Sequence, residues 1–428
     1  FTTDPIANPS YLFSAPTSAV FDFAAGREII GNVRRTGWVN GSAVVFNQPN
    51  MQVTTNAGTA PTDVTVTMIP LTESGDPTDN EREVKRKFQF AQTGGTVFTA
   101  DLRYPYLDGE LSTNAEANLV PWVRVIGTPT EWNGKLPSVT RDGTNNFVSV
   151  TGISATEFIN EWKLADPKYT MNATAYLRGP WNIGTGLMNT TMNSSGLLDQ
   201  PVGGALNQPF NTTPFNYTGT ENVAAGFFAA HPTIVDWVLC ELRIATSANL
   251  ATSGTIVGRK PGFVLNNGTV VDIDGITPIA FDINKQGAGF MVVRHRNHLG
   301  VMSNSLPSNT IGTYTNDYRI LANSYKPIGA PSDPMVVLPS SANYGLWGGD
   351  ANKSGVVNGT DVSAIKNAIA ASASGYLLTD VNLSNSVNGT DVSLAKGTIS
   401  VSGTGGTPGR VAPKVVRTNI PDPVSENQ

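Results

Sequence analysis

The chain contains 428 residues, which is enough for two or three domains with full hydrophobic cores. Charged residues make up 14% of the sequence and the net charge is −5, so the chain lacks the basic surface that a nucleic-acid-binding protein needs. Its single cysteine, Cys240, excludes disulfides within the chain, and no run of eighteen apolar residues is present to span a membrane.

Residues 1–167 carry repeated short runs in which apolar and polar residues alternate. These runs are bounded by Gly, Asn and Pro, and they include residues 64–69, 87–90, 97–102, 120–126 and 147–150. A period of two at this spacing is typical of antiparallel β-sandwiches. We therefore predict an N-terminal β-sandwich over residues 1–167.

Residues 168–343 repeat this patterning and form a second block. Its β-type runs include residues 169–177, 235–243, 255–260, 270–275 and 289–296. Cys240 lies inside one of these runs, where the role of a small buried hydrophobic residue is favoured over that of a reactive thiol. We predict a second antiparallel β-sandwich here, so that the fold class is mainly β.

Two groups of polar side chains in the second block are candidates for a catalytic site. His295 and His298 are three positions apart, but they lack the acidic or cysteine partner of a zinc site, which favours a structural role. Asp272 and Asp274 point to one face of a strand and are candidates for paired acids or calcium ligands, although a turn before Gly275 is the simpler interpretation. No nucleophile elbow or phosphate-binding loop is present, and we expect no enzymatic activity.

Five tryptophans raise a second possibility, a platform that stacks against sugars. Each lies beside a strand or a glycine-rich turn, where a packing role is equally natural, so glycan binding stays open. The five are Trp38, Trp122, Trp132, Trp181 and Trp347.

Residues 350–361 and 380–391 are near-copies of each other, thirty positions apart. A twelve-residue calcium loop supplies oxygen ligands from positions 1, 3, 5, 7, 9 and 12, with a backbone carbonyl at position 7. Both segments have Asp, Asn, Ser, Asn and Asp at positions 1, 3, 5, 9 and 12. We therefore predict two calcium ions, with ligands Asp350, Asn352, Ser354, Val356, Asn358 and Asp361 in the first loop and Asp380, Asn382, Ser384, Ser386, Asn388 and Asp391 in the second. The alternative is a pair of metal-free Asx-type turns that cap two helices.

A short helical pattern follows each loop, at residues 362–369 and 392–399. With these helices, residues 346–400 resemble a dockerin, a calcium-dependent module of paired loop–helix repeats. Lys366 and Lys396 match the lysine of the dockerin helices. The resemblance implies a small α-helical domain, which we place at residues 344–401, but a cohesin, the usual partner of a dockerin, does not follow from these residues.

Three positions depart from the dockerin pattern. Ser354 and Ser384 stand where an Asp is usual, and Asn385 replaces the glycine of the sharp turn. Calcium affinity follows the charge of the ligands and the rigidity of the loop. We therefore expect weak binding at both loops, and weaker binding at the second loop than at the first.

Five motifs of the second block, in order, resemble a C-terminal module of large secreted Bacteroidota proteins, many of them surface or adhesion proteins. In that family a dockerin-like pair often follows. The resemblance implies a location and an architecture far more than an activity. The motifs lie at residues 177–181, 195–198, 234–243, 271–275 and 293–300.

Residues 402–428 form a Gly- and Pro-rich tail with an extended, β-branched segment at 410–420. Such a segment is suited to adding a strand to the open sheet edge of a neighbouring subunit. The predicted assembly residues are Arg410, Val411, Val415, Val416 and Ile420. The N-terminal arm, residues 1–16, looks equally irregular and is a second candidate for this contact. The alternative is a tail that folds back onto its own second sandwich.

These patterns together lead to a hypothesis of function. We expect a non-enzymatic, extracellular structural protein, the self-assembling subunit of a bacterial surface filament, sheath or layer, stabilised by calcium. A homo-oligomer or polymer is its expected form, with glycans or other surface proteins as further candidate partners. The first alternative is an adhesin or glycan-binding module, and the second is a hydrolase that acts on polysaccharides. If the protein is secreted, a sequence that begins at Phe1 without a signal peptide is its processed form.

Overall fold

A computed structural model of the chain describes residues 2–3, 12–24, 26–70, 83–112, 114–126, 132–135, 139–200, 205–283, 288–304, 313–330, 332–401 and 416–422. Its contacts divide it into two compact units. The first unit is built on Phe1–Lys168, and the second on Tyr169–Phe281, Ala288–Pro307 and Thr313–Gln428. The calcium loops and the described tail fall in the second unit. The finer division of that region at residues 344 and 402 stays a prediction.

The first unit contains thirteen strands and one short helix in its described residues. The strands are β1 (Thr2–Thr3), β2 (Leu12–Pro16), β3 (Ile30–Thr36), β4 (Val44–Val45), β5 (Gln52–Asn56), β6 (Asp63–Pro70), β7 (Glu83–Thr93), β8 (Thr99–Pro105), β9 (Val120–Arg124), β10 (Asn133–Gly134), β11 (Val139–Asp142), β12 (Phe147–Ser154) and β13 (Glu161–Ala165). The helix is α1 (Ala155–Phe158), and 3-10 turns occur at Asp108–Glu110 and Glu116–Asn118.

Two sheets face each other in the first unit. One has the order β1-β3-β6-β7-β13-β9-β10, with β2 also on β3, and the other has the order β11-β12-β8-β5-β4. Their inner faces meet in one core, in which Tyr104 of β8 lies 5.4 Å from Phe88 of β7 and 5.6 Å from Trp162 of β13, measured between ring centroids. Alternate residues of β3 are buried, which is the period-two pattern that the sequence carries.

The described part of the N-terminal arm contains strands and joins its own sheet. Both β1 and β2 pair in parallel with β3, with Thr2 opposite Ile30 and Leu12 opposite Asn32. The sequence of residues 1–16, which carries three prolines, predicts an irregular arm. Its backbone hydrogen bonds are supplied by the open edge of β3, which local sequence does not reveal.

The second unit contains the remaining strands and helices. The strands are β14 (Lys168–Thr174), β15 (Tyr176–Leu177), β16 (Trp181–Asn182), β17 (Leu187–Met188), β18 (Ile234–Ile244), β19 (Ile256–Leu265), β20 (Val270–Val271), β21 (Ile279–Asp282), β22 (Gly289–Arg294), β23 (Val301–Met302), β24 (Thr313–Asp317), β25 (Val336–Val337), β26 (Tyr344–Leu346), β27 (Val356–Val357) and β28 (Val416–Arg417). The helices are α2 (Thr191–Ser194), α3 (Phe227–Ala230), α4 (Gly359–Ala370) and α5 (Gly389–Val401), with 3-10 turns at Ala248–Leu250, Ser253–Thr255 and Leu321–Asn323.

An antiparallel sheet of order β20-β19-β18-β22-β23 is the centre of the second unit. Every residue of β18 is buried, and Cys240 within it is a fully buried, free thiol. Two three-stranded sheets, β21-β14-β24 and β15-β26-β25, and two two-stranded sheets, β16-β17 and β27-β28, complete the described β structure. They include the parallel pairs β14–β24 and β15–β26, which join segments far apart in sequence. The predicted mainly β fold class with a helical C-terminal module is confirmed: of the residues that the structure describes, 38% are in strands and 14% in helices.

The two repeats fold as loop–helix units. Helices α4 and α5 pack on a small core that contains Val362, Ile365, Val381 and Ala395. In the described residues, no helix combines the length and apolar character needed to cross a lipid bilayer.

The described part of the tail folds back onto its own chain. Strand β28 pairs with β27 of the first calcium loop, where Val416 lies opposite Val357. Four residues further on, Ile420 is 4% exposed and packs with Phe290, Val292 and Met302. The structure therefore takes the fold-back alternative for residues 416–422, because an apolar cleft within the chain accepts Ile420. The predicted assembly residues Arg410, Val411 and Val415 lie outside the described residues.

Truncating Ile420 tests this docking. The change Ile420→Ala leaves a cavity in a buried cluster, and we expect it to lower the free energy of unfolding of the second unit by about 2–4 kcal/mol. Denaturant unfolding of the full chain measures the loss. The matched control is Ile328→Ala, because Ile328 is fully exposed and its truncation is expected to change stability by less than about 0.5 kcal/mol. If neither variant changes the free energy of unfolding, the tail is not docked on its own chain.

Candidate metal centre

The first loop closes through the carboxylates at its two ends. Asp350 accepts hydrogen bonds from the backbone N–H of Ser354 at 2.8 Å and of Gly355 at 2.9 Å. Asp361 accepts them from the N–H of Asn352 at 3.2 Å and of Asn358 at 2.9 Å. Asp350 therefore binds the middle of the loop, and Asp361 binds one residue near its start and one near its end. The loop is thus closed by its own backbone.

The second loop repeats the same bonds thirty residues later. Asp380 accepts from the N–H of Ser384 at 2.9 Å and of Asn385 at 2.8 Å. Asp391 accepts from the N–H of Asn382 at 3.1 Å and of Asn388 at 2.9 Å. The two loops thus have the same local architecture, as their near-identical sequences predict.

The turn at position 6 explains why Asn385 is tolerated. Gly355 has φ +75° in the first loop, and Asn385 has φ +64° at the same position of the second. This left-handed conformation favours Gly, and among the other residues Asn adopts it most readily. The second loop therefore keeps the sharp turn without a glycine.

The predicted metal-ligating atoms of each loop are all oxygens. In the first loop, Asn352 Oδ1 accepts a hydrogen bond from the N–H of Ser354 at 3.0 Å, and Ser354 Oγ donates one to the carbonyl of Val356 at 3.1 Å. Amide, hydroxyl, carbonyl and carboxylate oxygens are the ligands of a hard cation such as Ca²⁺. Within the described ranges no group of three or more His, Cys, Asp or Glu side chains is placed to hold a metal. Each loop contributes two carboxylates, and its other predicted ligands are amide, hydroxyl and carbonyl oxygens.

Burial disfavours the ionised form of these carboxylates. It raises the pKa of Asp350 to about 7, with a further contribution from the nearby charge of Asp361, and it raises the pKa of Asp380 to about 6. The pKa values of Asp361 and Asp391 are also raised by burial. A bound cation offsets both the lost hydration and the repulsion between the two acids. The residues present therefore fit calcium.

A polar turn of the central sheet holds the start of the second loop. Asn297 Nδ2 donates to the backbone carbonyls of Leu378 at 3.0 Å and of Asp380 at 2.8 Å. Arg296 donates from one terminal nitrogen to the carbonyl of Leu377. These bonds join the turn after β22 to the segment that leads into the second loop.

The same turn closes on a buried acid of β18. Asp236 is fully buried and accepts hydrogen bonds from Arg296 Nε at 2.9 Å and from the hydroxyl of Tyr376. His295 Nε2 lies 3.2 Å from the same carboxylate. Burial opposes ionisation of Asp236, but the charge of Arg296 and the bond to His295 outweigh it and hold the pKa of this carboxyl well below its usual range.

His298 joins this cluster to a third segment. Its Nε2 accepts a hydrogen bond from the backbone N–H of Gly179 at 3.0 Å, and its Nδ1 lies 2.9 Å from Asn297 Oδ1. A side chain at residue 179 would meet the carbonyl of Val381 at 2.1 Å, so only glycine fits this close approach. Burial lowers the pKa values of both His295 and His298. We call the turn 295–298 with Asp236 and Tyr376 the polar anchor.

Helix α5 is fixed to the central part of the unit in a similar way. Arg178 donates to the hydroxyl of Thr398 at 2.8 Å, and that hydroxyl donates to the carbonyl of Gly348 at 2.7 Å. The second loop and its helix are therefore attached at both ends to the β structure.

The side chains that the sequence offered as catalytic candidates are engaged in contacts that stabilise the fold. His295 and His298 are buried in the polar anchor, in line with the favoured interpretation. Asp272 pairs with Lys260 at 2.7 Å, whereas Asp274 accepts hydrogen bonds within its own turn from Ile276 and Thr277. These two acids thus serve different partners.

The tryptophan platform does not form. Four of the five candidates are buried, and their exposed fractions do not exceed 8%. They are Trp38, Trp122, Trp132 and Trp347. Trp181 is half-buried, and its Nε1 donates to the carbonyl of Pro339 at 3.1 Å. Packing is therefore the role of these residues.

The polar anchor is the feature that sequence reasoning missed. The run of charged and amide residues directly after the apolar strand β22 was a signal, because such groups are rarely buried unless they are paired. The identity of their partner, a segment about eighty residues further along the chain, was not visible in the sequence.

Comparison with known proteins supports the C-terminal module. Residues 348–400 match the family model of the dockerin type I domain, a match that includes both loops and most of both helices. No curated protein and no solved structure shows a significant match to the chain. Domains of the dockerin family bind calcium and bind cohesin partners in assemblies outside the cell. The predicted dockerin-like module is thereby confirmed, and the resemblance of the second block to a Bacteroidota surface module stays a prediction.

Proposed function

We propose that the chain is a non-enzymatic, extracellular structural protein, the self-assembling subunit of a surface filament, sheath or layer, in which two calcium ions stabilise the C-terminal repeats. The observation that carries this proposal is the attachment of the repeats to the β structure of the second unit. A dockerin that only recruits a partner needs no more than a flexible tether.

In this chain the repeats are built into the unit. The polar anchor holds the second loop, Arg178 holds α5, and β28 of the tail pairs with β27 of the first loop. Binding of a cation to either loop therefore stabilises the second unit through direct hydrogen bonds. Such coupling suits a subunit that must stay rigid within an assembly.

Calcium would be held by the twelve predicted ligands, six in each loop. The ion supplies positive charge that neutralises the paired acids, Asp350 with Asp361 and Asp380 with Asp391. Serine in place of a third acid leaves two negative charges in each loop. This supports a dissociation constant on the order of 10⁻⁴–10⁻³ M, the range of extracellular calcium modules.

The proposal includes no catalysis. The hydrolase alternative relied on Asp272 and Asp274 as paired acids, and these carboxylates are engaged by Lys260 and by a local turn. The glycan-binding alternative requires exposed tryptophans, and four of the five candidate tryptophans are buried.

A second candidate function is binding to a cohesin-type protein. It is favoured by the family match and by the exposed face of α4, which presents Ser363, Lys366, Asn367 and Ala370 to solvent. Helix α5 offers less, because Ala395 and Thr398 are buried against the unit.

Electron microscopy and sedimentation of the full chain, with and without calcium, test the main proposal. We expect concentration-dependent polymers in calcium and their loss in a chelator. A monomer at every concentration, with or without calcium, would overturn self-assembly. If that monomer binds an isolated cohesin module only in calcium, the second candidate replaces the first.

Removing the charge of the first loop is expected to remove its share of calcium stabilisation. The double change Asp350→Asn and Asp361→Asn keeps the size of both side chains, but it removes both charges and replaces one acceptor oxygen of each carboxylate by an NH₂ donor. In the native chain, a hundredfold excess of calcium over the dissociation constant adds about 2.7 kcal/mol per site. Thermal unfolding across a calcium titration measures the difference. Asp333→Asn is the control, because Asp333 is 51% exposed and pairs at the surface with Lys326. An unchanged calcium response in the double variant excludes the first loop as a metal site.

The polar anchor is expected to weaken in acid. Because His295 and His298 have lowered pKa values in the folded chain, the unfolded chain takes up protons first as the pH falls through about 6.5. Their contribution to stability is complete above that pH and is lost below it, by at most about 1.4 kcal/mol per pH unit for each histidine.

Denaturant unfolding of the second unit between pH 7 and pH 5 measures this loss. His298→Gln removes one titrating group, so its stability should fall less steeply with decreasing pH than that of the native chain. Both proteins keep the same calcium loops, and the difference between their slopes therefore reports the histidine alone. Equal slopes would show that His298 is not held neutral by the fold.

A further inference from the structure

A cleft in the second unit lies between the central sheet, the first calcium loop and the tail. Its volume is about 340 Å³, at the lower end of the range for small-molecule sites. Strands β18, β19 and β22 form its floor, and residues 354–356 and 417–422 form two of its walls. None of the functions discussed above uses this cleft.

Cations outnumber carboxylates around the cleft. Four cationic side chains line it together with two acidic ones, and the six are Arg259, Arg294, Lys353, Arg417, Glu241 and Asp422. The two carboxylates are also shared with Arg243, which is fully buried and donates to Glu241 at 3.1 Å and to Asp422 at 2.8 Å. Three guanidinium groups, those of Arg243, Arg259 and Arg294, therefore share two carboxylates, although charges removed from solvent are normally paired one to one.

Arg259 is the side chain with the poorest partners. Its Nε lies 3.2 Å from Glu241 Oε1, yet this buried nitrogen makes no hydrogen bond to any described residue. Glu241 directs its hydrogen bonds to Arg243 and Arg294 instead. Burial lowers the pKa of Arg259, the charge of Glu241 opposes this shift, and repulsion from these two arginines adds to the lowering. An anion beside Arg259 would supply the missing acceptor.

The rest of the lining is mixed in character. Phe215 and Ile256 form an apolar side, whereas the hydroxyls of Thr213, Ser253 and Thr418 lie on the polar side. Thr213 already donates to Asn216 Oδ1 at 3.3 Å and Thr418 to the carbonyl of Gly300 at 2.9 Å, so these two hydroxyls would act as acceptors. At the rim, Arg417 is exposed, and Lys353 donates to Thr212 at 2.9 Å. An apolar wall with a few polar groups and a cation is the usual composition of a small-ligand site.

We propose that this cleft binds a small carboxylate-bearing ligand, and that an acidic sugar unit is the class it fits. The planar guanidinium of Arg259 matches a carboxylate in shape and charge. The hydroxyl oxygens can accept hydrogen bonds from the polar edge of a sugar ring, and Phe215 suits its C–H face. Because residues 354–356 belong to the first calcium loop, loss of calcium should also weaken binding. The site does not depend on self-assembly, so either proposal can fail alone.

Titration calorimetry of the full chain tests this site, in calcium and at constant ionic strength. The probes are glucuronate, glucose as its uncharged counterpart, sulfate, and a short peptide with a free C-terminal carboxylate. We expect saturable binding of glucuronate and none of glucose. Arg259→Gln should weaken glucuronate binding about tenfold or more, as expected for the loss of a charged hydrogen-bonding partner. Arg417→Gln should weaken it less, and the control Arg27→Gln, an exposed arginine that does not line the cleft, should not change it.

Four results would overturn the proposal. The first is the absence of saturable glucuronate binding, and the second is equal binding by Arg259→Gln. The third is sulfate binding as tight as that of glucuronate, which would indicate a general anion site. The fourth is tighter binding of the peptide, which would make a protein terminus the ligand. If Arg259→Gln does not fold, the exposed variant Arg417→Gln decides, and unchanged affinity in that variant counts against the site.

Discussion

The pairing of the buried Asp236 with Arg296 is the interaction on which the arrangement of the second unit depends. A carboxylate at the centre of a sheet is costly unless it is neutralised and hydrogen-bonded. Arg296, His295 and Tyr376 together meet that requirement. Because these three groups come from the end of β22 and from the segment before the second loop, neutralising one acid fixes the distance between the sheet and the repeats.

Buried clusters of oppositely charged side chains also occur elsewhere in the chain. Only 14% of the residues are charged, and several of them are buried in compact clusters rather than spread over the surface. In the first unit, Arg86 is 1% exposed and is bonded to Glu110 at 2.7 Å and to Glu28 at 3.2 Å. In the second unit, Glu241 is shared between arginines. These clusters specify which segments meet, since a wrong pairing would leave a buried charge without a partner.

The calcium loops differ from these clusters in one respect. The acids of each loop have backbone N–H groups as partners, and among the described residues no side-chain cation is bonded to them. Burial therefore raises their pKa values, whereas the pKa of Asp236 is lowered. The contrast has a simple physical reason: the charge of Asp236 is balanced within the chain, and the charge of the loops requires an external cation.

The local features of this protein can be read from its amino-acid sequence. The loops and their helices follow from residue spacing, because a calcium loop is closed by its own backbone within twelve residues. Strand runs follow from the period-two pattern, since alternate residues face one core. The parallel pairs, the docking of Ile420, the polar anchor and the cleft depend instead on tertiary contacts. Each of these joins segments that are far apart in the chain, and hydrophobic patterning says which residues are buried but not against which partner.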